Sequence, residues 1–301
     1  MASSSATDEN GSTAMNSPWP SPILVCMKWV ALRPTIDPLT GGVDTDERWS
    51  GPSLADQAAL EWALRLAETR ATTTHVITVG TDAADTMLRD ALAAGATTVT
   101  RVNLDAADER QPTSACIGRL LADVARPLDP AMVLCGDWSL DRGSASVPSF
   151  LAAELSLEAA CGLVRIEQTD VRRLEVERRL DGGRREVLAV TGPAVLSVEG
   201  ATARLRRAPL RGVLHARTAT VRVVTIGTGD IEWEPIPQRV GPFRPRARIL
   251  DAPGADDPRR RVEALTGAHT SRTPPQRLAL DPDAAADVIL DHLRAWGQLP
   301  G

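Results

Sequence analysis

A polar turn that follows an apolar strand is the part of the sequence best suited to bind a ligand. Residues 131–135 are apolar, and the turn after them contains Gly136, Gly143 and Ser144 before a helix predicted to begin near Ser146. A strand that leads through such a turn into a helix directs backbone N–H groups into the crevice above a sheet. Backbone amides placed in this way can bind phosphate groups.

The same corner is also compatible with a connection that binds nothing. Neither the GxGxxG fingerprint nor the GxxxxGK[ST] loop occurs in the chain. Most strand–turn–helix corners in α/β proteins serve only to connect two elements. The turn by itself therefore leaves both interpretations open, and the elements around it have to separate them.

The first half of the chain alternates between strands and helices. Strands are predicted at 23–27, 74–79, 98–102 and 131–135, and helices at 82–94 and 112–126 and from Ser53 onwards. This order predicts a doubly wound, mainly parallel, Rossmann-like sheet with right-handed crossovers. The ligand crevice of such a sheet lies at the carboxyl ends of its strands, where the strand order reverses. If the first strand is central, Lys28 and Gly136 flank that point.

The second half has a different pattern. Asp181-Gly182-Gly183 predicts a β-hairpin between strands at 171–180 and 184–190, and a further strand is predicted at 193–198. The Arg-rich stretch 203–217 is either a solvated loop with a short helix or a docking surface. From residue 218 the chain is rich in Pro and Gly, with weak strands at 221–226 and 247–250 and a last helix at 282–296. We therefore predict a disordered tail (1–20), an α/β domain with a hairpin extension (21–217) and a C-terminal arm that wraps a partner (218–301).

Composition narrows the classes of function. The 301 residues carry a net charge of −5, which argues against a general nucleic-acid surface, and no apolar run approaches the length of a membrane span. Residues 1–20 lack the features of a signal or transit peptide. The four cysteines form no CxxC pair and the four histidines have no ligand spacing, so we expect reduced thiols in a cytoplasmic protein without a metal site. No nucleophile–base pattern indicates an enzyme.

Several motifs, in their order and spacing, resemble the β subunit of electron-transfer flavoproteins. They are VCMKWV, TGGVDTD, PSLADQAALEWALRLAE, MLRDALAAGAT, VLCGDWSLDRGSASVPSFLAAEL, RRLDGGRREVLAV with TGPAVLSVE, and PPQRLAL with a final WGQLP. The resemblance covers most of residues 23–299. It implies AMP, or a second FAD, in the crevice of this chain, and an α subunit with which FAD is shared. It also implies electron transfer from a flavin- or nicotinamide-linked dehydrogenase.

The resemblance, together with the predicted crevice, assigns roles to individual residues. The predicted cofactor-binding residues are Cys26, Lys28, Ser53, Leu54, Ala55, Asp56, Val79, Gly136, Asp137, Trp138, Asp141, Gly143, Ser144, Ala145, Ser146 and Val147. The predicted partner-docking residues are Arg206, Arg207 and Leu210. Leu210 stands at the position of the family's docking leucine.

The sequence also departs from the family pattern, which indicates a divergent paralogue. The family usually carries Gly-Gln where this chain has Ala145-Ser146, and often a Tyr where it has Leu32-Arg33-Pro34. Two alternatives therefore stay open. One is an ATP-binding α/β protein of the universal-stress or pyrophosphatase type, and the other is a nucleotide-free scaffold subunit for the flavin-binding partner.

Overall fold

A computed structural model of the chain describes residues 21–104, 111–170, 173–225, 232–234, 257–266 and 277–299. The strands are Ile23–Cys26 (β1), Trp29–Ala31 (β2), Thr35–Ile36 (β3), Val43–Asp44 (β4), Ser50–Pro52 (β5), Thr74–Gly80 (β6), Thr98–Asn103 (β7), Met132–Gly136 (β8), Glu158–Asp170 (β9), Arg173–Arg179 (β10), Arg185–Val190 (β11), Ala194–Val198 (β12) and Arg222–Thr225 (β13). The α-helices are Leu54–Arg70 (α1), Asp85–Ala94 (α2), Ser114–Ala125 (α3), Val147–Leu155 (α4), Leu210–Thr218 (α5), Pro258–Thr266 (α6) and Pro282–Ala295 (α7).

Within the described residues, nine strands form the main sheet in the order β11-β10-β9-β12-β8-β1-β6-β7-β13. Across the sheet, each strand from β9 through β12, β8, β1, β6 and β7 to β13 is parallel to the next. Strand β10 is antiparallel to both of its neighbours, β9 and β11. The chain adds β6 and β7 on one side of β1 and then places β8 on the other side. The strand order thus reverses between β1 and β8, which confirms the predicted fold class and the predicted switch point.

Helices cover the sheet on both faces, and β1 shows how the sequence specifies this. Ile23 and Val25 pack into a core with α1 and α2, whereas Leu24 and Cys26 pack into a second core with α3 and α4. Successive side chains of a strand point to opposite faces, so a strand with two covered faces must be apolar throughout. All four residues of β1 are buried.

Local signals set the ends of several helices. The Ser53 hydroxyl accepts a hydrogen bond from the Asp56 amide at the start of α1, and Thr113 accepts one from the Cys116 amide at the start of α3. Gly95 ends α2 with φ +126°, a conformation that residues with a Cβ rarely adopt. These caps fix the first turns of α1 and α3 at the carboxyl edge of the sheet.

The hairpin after Arg173 is as predicted, with positive φ at Gly182 and Gly183 in its turn. The long strand β9, which pairs with it, was not predicted. Its beginning lacks an alternating pattern, because Gly162 takes φ +69° and the pairing with β12 shifts register beside it. A bulge of this kind interrupts the period of two by which strands are recognised.

The residues after 217 are described in part. Strand β13 lies at the edge of the main sheet beside β7, and a first compact unit extends to residue 243. A second unit, from residue 244, contains α6 and α7, and α7 corresponds to the predicted last helix. The predicted strand at 247–250 and the predicted disordered tail lie outside the described residues. None of the helices described is both long and apolar enough to cross a lipid bilayer.

Candidate nucleotide site

A crevice with a volume of about 410 Å³ lies at the predicted switch point. Its lining includes twelve of the predicted site residues, namely Cys26, Lys28, Asp56, Val79, Gly136, Asp137, Trp138, Asp141, Ser144, Ala145, Ser146 and Val147. The volume is within the range of roughly 300–1,000 Å³ that is usual for small-molecule sites. The structure therefore brings strand ends and turns that are distant in sequence together around one cavity.

The turn between β8 and α4 has a backbone suited to an anion. Gly143 and Ala145 have φ of +59° and +53°, and Ser146 returns to the right-handed region with φ −98° and ψ −21°. Adjacent residues of opposite hand turn successive N–H groups towards one concavity, an arrangement that binds anions. Of the first three residues of α4, only Val147 adds an amide to it, because Pro148 has no N–H and the Ser149 amide donates to the Ser146 carbonyl over 3.1 Å.

Three hydroxyl groups lie together at the same turn. The Ser144 Oγ is 3.3 Å from the Ser114 Oγ at the start of α3, and the Ser146 Oγ donates to the Ser144 Oγ over 3.1 Å. All three serines line the crevice. Each hydroxyl can rotate its proton towards a ligand oxygen, so the cluster supplies adjustable donors next to the amides.

The cationic side chains at the crevice are paired within the chain. The Lys28 ammonium group is 2.5 Å from an oxygen of Asp141, and the Arg142 guanidinium contacts the carboxylate of Glu234. Burial alone would raise the pKa of Asp141, but the hydrogen bonds from Lys28 and Ser139 and the charge of Lys28 lower it. The site thus offers neutral donors to a ligand more than free positive charge.

Asp56 forms part of the floor of the crevice and is only 6% exposed. One oxygen of Asp56 accepts a hydrogen bond of 3.3 Å from the Lys28 amide. Burial raises the pKa of Asp56 to about 6, against the lowering effect of its hydrogen bonds with Lys28 and Ser53. Gly136 passes close above it, because a Cβ at residue 136 would lie 2.7 Å from an Asp56 oxygen. A larger residue at 136 would displace this carboxyl group.

Four predicted cofactor-binding residues do not line this cavity. Ser53 is a buried helix cap, Ala55 is buried, and Leu54 is exposed, with Leu54 and Ala55 packed against Gly200. Gly143 lines a separate cavity of about 380 Å³ together with residues that include Trp138 and Ser197. Their roles in binding a cofactor remain predictions.

Sequence reasoning missed several residues that line the crevice. Ser114, Leu104, Ile117 and Trp233 come from α3, from the end of β7 and from the segment after β13. The cap at Thr113 could have indicated Ser114, because the first turn of a helix in such a fold points to the ligand edge. No local pattern indicates Trp233, which reaches the crevice through a short bridge to Pro112.

The predicted docking residues lie in and before α5, which packs against α2. Leu210 is 75% exposed and Arg207 is exposed. Arg206 instead forms a 3.0 Å ion pair with the buried Glu61 and a second ion pair with Glu68. This gives Arg206 a role within the chain, so the docking prediction is better carried by Arg207 and Leu210.

Comparison with known proteins gives a consistent result. The family model described as "Electron transfer flavoprotein domain" matches residues 43–227. Electron transfer flavoprotein subunit beta of Methylophilus methylotrophus is 30% identical over 210 residues, covering 68% of this chain and 79% of that protein. Protein FixA of Rhizobium meliloti (strain 1021) is 28% identical over 221 residues, covering 70% of this chain and 74% of its own. Electron transfer flavoprotein subunit beta of Bacillus subtilis (strain 168) is 26% identical over 181 residues, covering 60% and 68%.

Proposed function

Because this chain belongs to the electron transfer flavoprotein β-subunit family, we propose that it binds AMP in the crevice between β1 and β8 and pairs with a flavin-binding α subunit. The FAD shared with that subunit supplies the one- and two-electron chemistry when bound. This chain supplies the nucleotide site and a docking surface, and it carries no bond-making chemistry of its own. We place the complex in the cytoplasm, as the sequence predicts.

The observation that carries the nucleotide part is the set of donors at the turn before α4. The left-handed Ala145, the right-handed Ser146 and the hydroxyls of Ser114 and Ser144 surround one end of the crevice. Amides and hydroxyls of this kind fit a phosphate monoester, because they donate hydrogen bonds without requiring a free cation. Ala145 takes the left-handed conformation although it is not a glycine, so this turn forms without the family's Gly-Gln pair.

Two features favour AMP over a larger or more highly charged ligand. The cavity of about 410 Å³ suits a mononucleotide, whereas FAD has roughly twice as many heavy atoms and would need more of the usual pocket range. The carboxyl groups of Asp56, Asp137 and Asp141 also line the crevice. Additional phosphates would meet these groups, and the two cationic side chains in the described lining, Lys28 and Arg142, are already paired, which weighs against ATP as the resident ligand.

The docking part of the proposal rests on Leu210 and Arg207. An exposed leucine next to an exposed arginine suits an interface in which the leucine fills a pocket and the arginine attracts an acidic partner. We propose that the partner at this surface is the flavin- or nicotinamide-linked dehydrogenase that reduces the complex. The packing of α5 against α2 holds this surface away from the crevice lining.

The experiment is to co-express the chain with its α subunit, denature the purified complex and identify the released nucleotides. We expect one AMP per β chain and a flavin spectrum that belongs to the complex. If FAD is released in place of AMP, the ligand of the crevice is FAD and the proposal of AMP is wrong. A complex with flavin but no further nucleotide would favour the scaffold alternative, and a chain that binds ATP without any flavin partner would contradict both the ligand and the partner in the proposal.

A further inference from the structure

A three-residue strap, Glu232–Trp233–Glu234, lies across one side of the crevice. The Thr113 amide donates to the Glu232 carbonyl over 2.8 Å, and the Glu234 amide donates to the Gln111 carbonyl over 2.7 Å. Between these two bonds, Trp233 forms an isolated antiparallel bridge with Pro112. The strap is therefore attached by its backbone to the segment that leads into α3.

The strap is also connected to the phosphate-binding turn. The Arg142 guanidinium donates to the Pro112 carbonyl over 2.6 Å and forms an ion pair with Glu234. Arg142 lies within the turn that carries Gly143, Ser144 and Ala145. One side chain of the turn thus holds both the strap and the segment to which the strap is bound.

Trp233 is in contact with apolar residues and also lines the crevice. Trp233 is half-buried, lines the crevice and packs against the same core as Val79, Leu104 and Ile117, which line it too. The three serines and Ala145 of the turn line the same cavity. A mononucleotide needs both kinds of group, because it has a flat aromatic base at one end and a phosphate at the other.

We propose that Trp233 is the stacking surface for the base of the bound nucleotide, and that the ion pair between Glu234 and Arg142 holds the strap in place over it. This inference rests on the proposed nucleotide site and assigns the base end of it. Stacking on an aromatic ring tolerates any base, because every base presents a π face. Substitution of Trp233 should therefore weaken the binding of ligands that have a base, whereas substitutions in the turn should weaken the binding of ligands that have a phosphate.

The test compares AMP with ribose 5-phosphate, which has the same phosphate and sugar but no base. Calorimetric titrations would use the full chain in complex with its α subunit, after removal of bound nucleotide. Trp233→Ala should weaken AMP binding by about five- to a hundredfold, which is the usual effect of removing one stacking side chain, and leave ribose 5-phosphate binding unchanged. Trp233→Phe should retain most of the AMP affinity. Trp296→Ala, at an exposed tryptophan that follows the last residue of α7, serves as the matched control.

The outcomes separate this inference from the nucleotide proposal. A Trp233→Ala variant that binds AMP as tightly as the wild type overturns the stacking role and leaves the nucleotide site intact. Equal losses for AMP and ribose 5-phosphate also overturn it, since Trp233 would then shape the whole crevice. A wild-type complex that binds neither compound rejects the nucleotide proposal itself, and the inference with it.

The ion pair is tested by the rate at which nucleotide leaves. Glu234→Gln removes the charge that holds Arg142 and should speed AMP dissociation several-fold, with a smaller difference at high salt. Glu186→Gln is the matched control, because it breaks a comparable ion pair with Arg178 in the hairpin. Equal dissociation rates for the wild type and Glu234→Gln would show that the ion pair does not hold the strap.

Discussion

The turn at residues 136–146 and the Arg-rich segment at 204–211 use their polar residues in opposite ways. In the turn and its surroundings, Arg142 and Lys28 are paired with Glu234 and Asp141, so the donors turned to the crevice are amides and hydroxyls. In the second segment, Arg206 is paired with Glu61, while the adjacent Arg207 and Leu210 remain exposed.

In the proposed function, the two regions serve two kinds of recognition. A small anion is bound best by donors held rigidly in a partly enclosed space. A protein partner is recognised by an exposed apolar anchor with charge around it. Arginine occurs in both regions, and its contacts decide whether it supports the chain, as Arg142 and Arg206 do, or faces outward, as Arg207 does.

The largest expected effect is at the turn. Ser146→Asp places a carboxylate among the donors and should reduce AMP retention by more than about a hundredfold, because like charges in a partly buried site repel strongly. The nucleotide content of the purified complex measures this. Ser149→Asp is the control, since it adds the same charge three residues later, at an exposed residue of α4 outside the crevice lining. If the Ser146→Asp complex retains nucleotide at the wild-type ratio, the phosphate binds elsewhere.

The next effect is a pH dependence of the free energy of unfolding that arises from Asp56 in the crevice floor. The pKa of Asp56 is raised to about 6 in the folded chain, compared with about 4 when unfolded. The folded state therefore binds more protons between these values, and this carboxyl group lowers the free energy of unfolding as pH rises through that window. Relative to Asp56→Asn, wild-type stability should fall by about 2–3 kcal/mol from pH 4 to pH 7.

Urea unfolding at several pH values measures this difference. The comparison with Asp56→Asn cancels the other titrating groups, which both proteins share. A constant stability difference across the window would mean that Asp56 is ionised normally. Leu210→Ala should show the wild-type pH profile, because residue 210 lies outside the crevice lining.

At the docking segment, Leu210→Ala should slow reduction of the flavin by the dehydrogenase about tenfold, by removing the anchor from its pocket. Stability should change by no more than about 0.5 kcal/mol, because the side chain is 75% exposed. Flavin bleaching in stopped-flow experiments gives the rate. Leu180→Ala, in the hairpin, is the control, and a normal rate for Leu210→Ala would remove this residue from the interface.

A smaller effect concerns the backbone of the turn. Ala145 has φ +53°, which is unfavourable for a residue with a Cβ. Ala145→Gly should therefore raise the free energy of unfolding by up to about 1 kcal/mol. Ala153→Gly, on the exposed face of α4, should have the opposite sign and lower it by about 1 kcal/mol. Urea unfolding of both variants measures the two changes. Destabilisation by Ala145→Gly would show that the positive φ of Ala145 does not strain the backbone.

The smallest effect is electrostatic. Arg207→Glu should slow reduction of the complex about two- to threefold at low ionic strength and very little at high salt, because steering by an exposed charge is screened. The same bleaching assay, repeated over a series of salt concentrations, measures this. A loss that does not depend on salt would indicate a direct contact, and no loss at all would exclude steering by Arg207.

Much of the fold was predictable because it depends on local patterns. The apolar β1, the alternation of strands and helices and the Gly182-Gly183 turn each predicted the correct element. The candidate crevice followed from the rule that parallel sheets bind ligands where their strand order reverses. The start of β9 was not predictable, because Gly162 breaks the alternation that identifies a strand.

The sequence by itself determined the fold class, the family and the turn that faces the crevice, since periodicity, turn residues and motif spacing are local properties. Only the tertiary structure decided that Glu61 pairs with Arg206, that Ser114 lies beside Ser144, and that Trp233 reaches the crevice. It also decided the burial that raises the pKa of Asp56. These features depend on which distant segments the strand order and the path of the loops bring together, and a pattern within one segment carries no information about its neighbours in space.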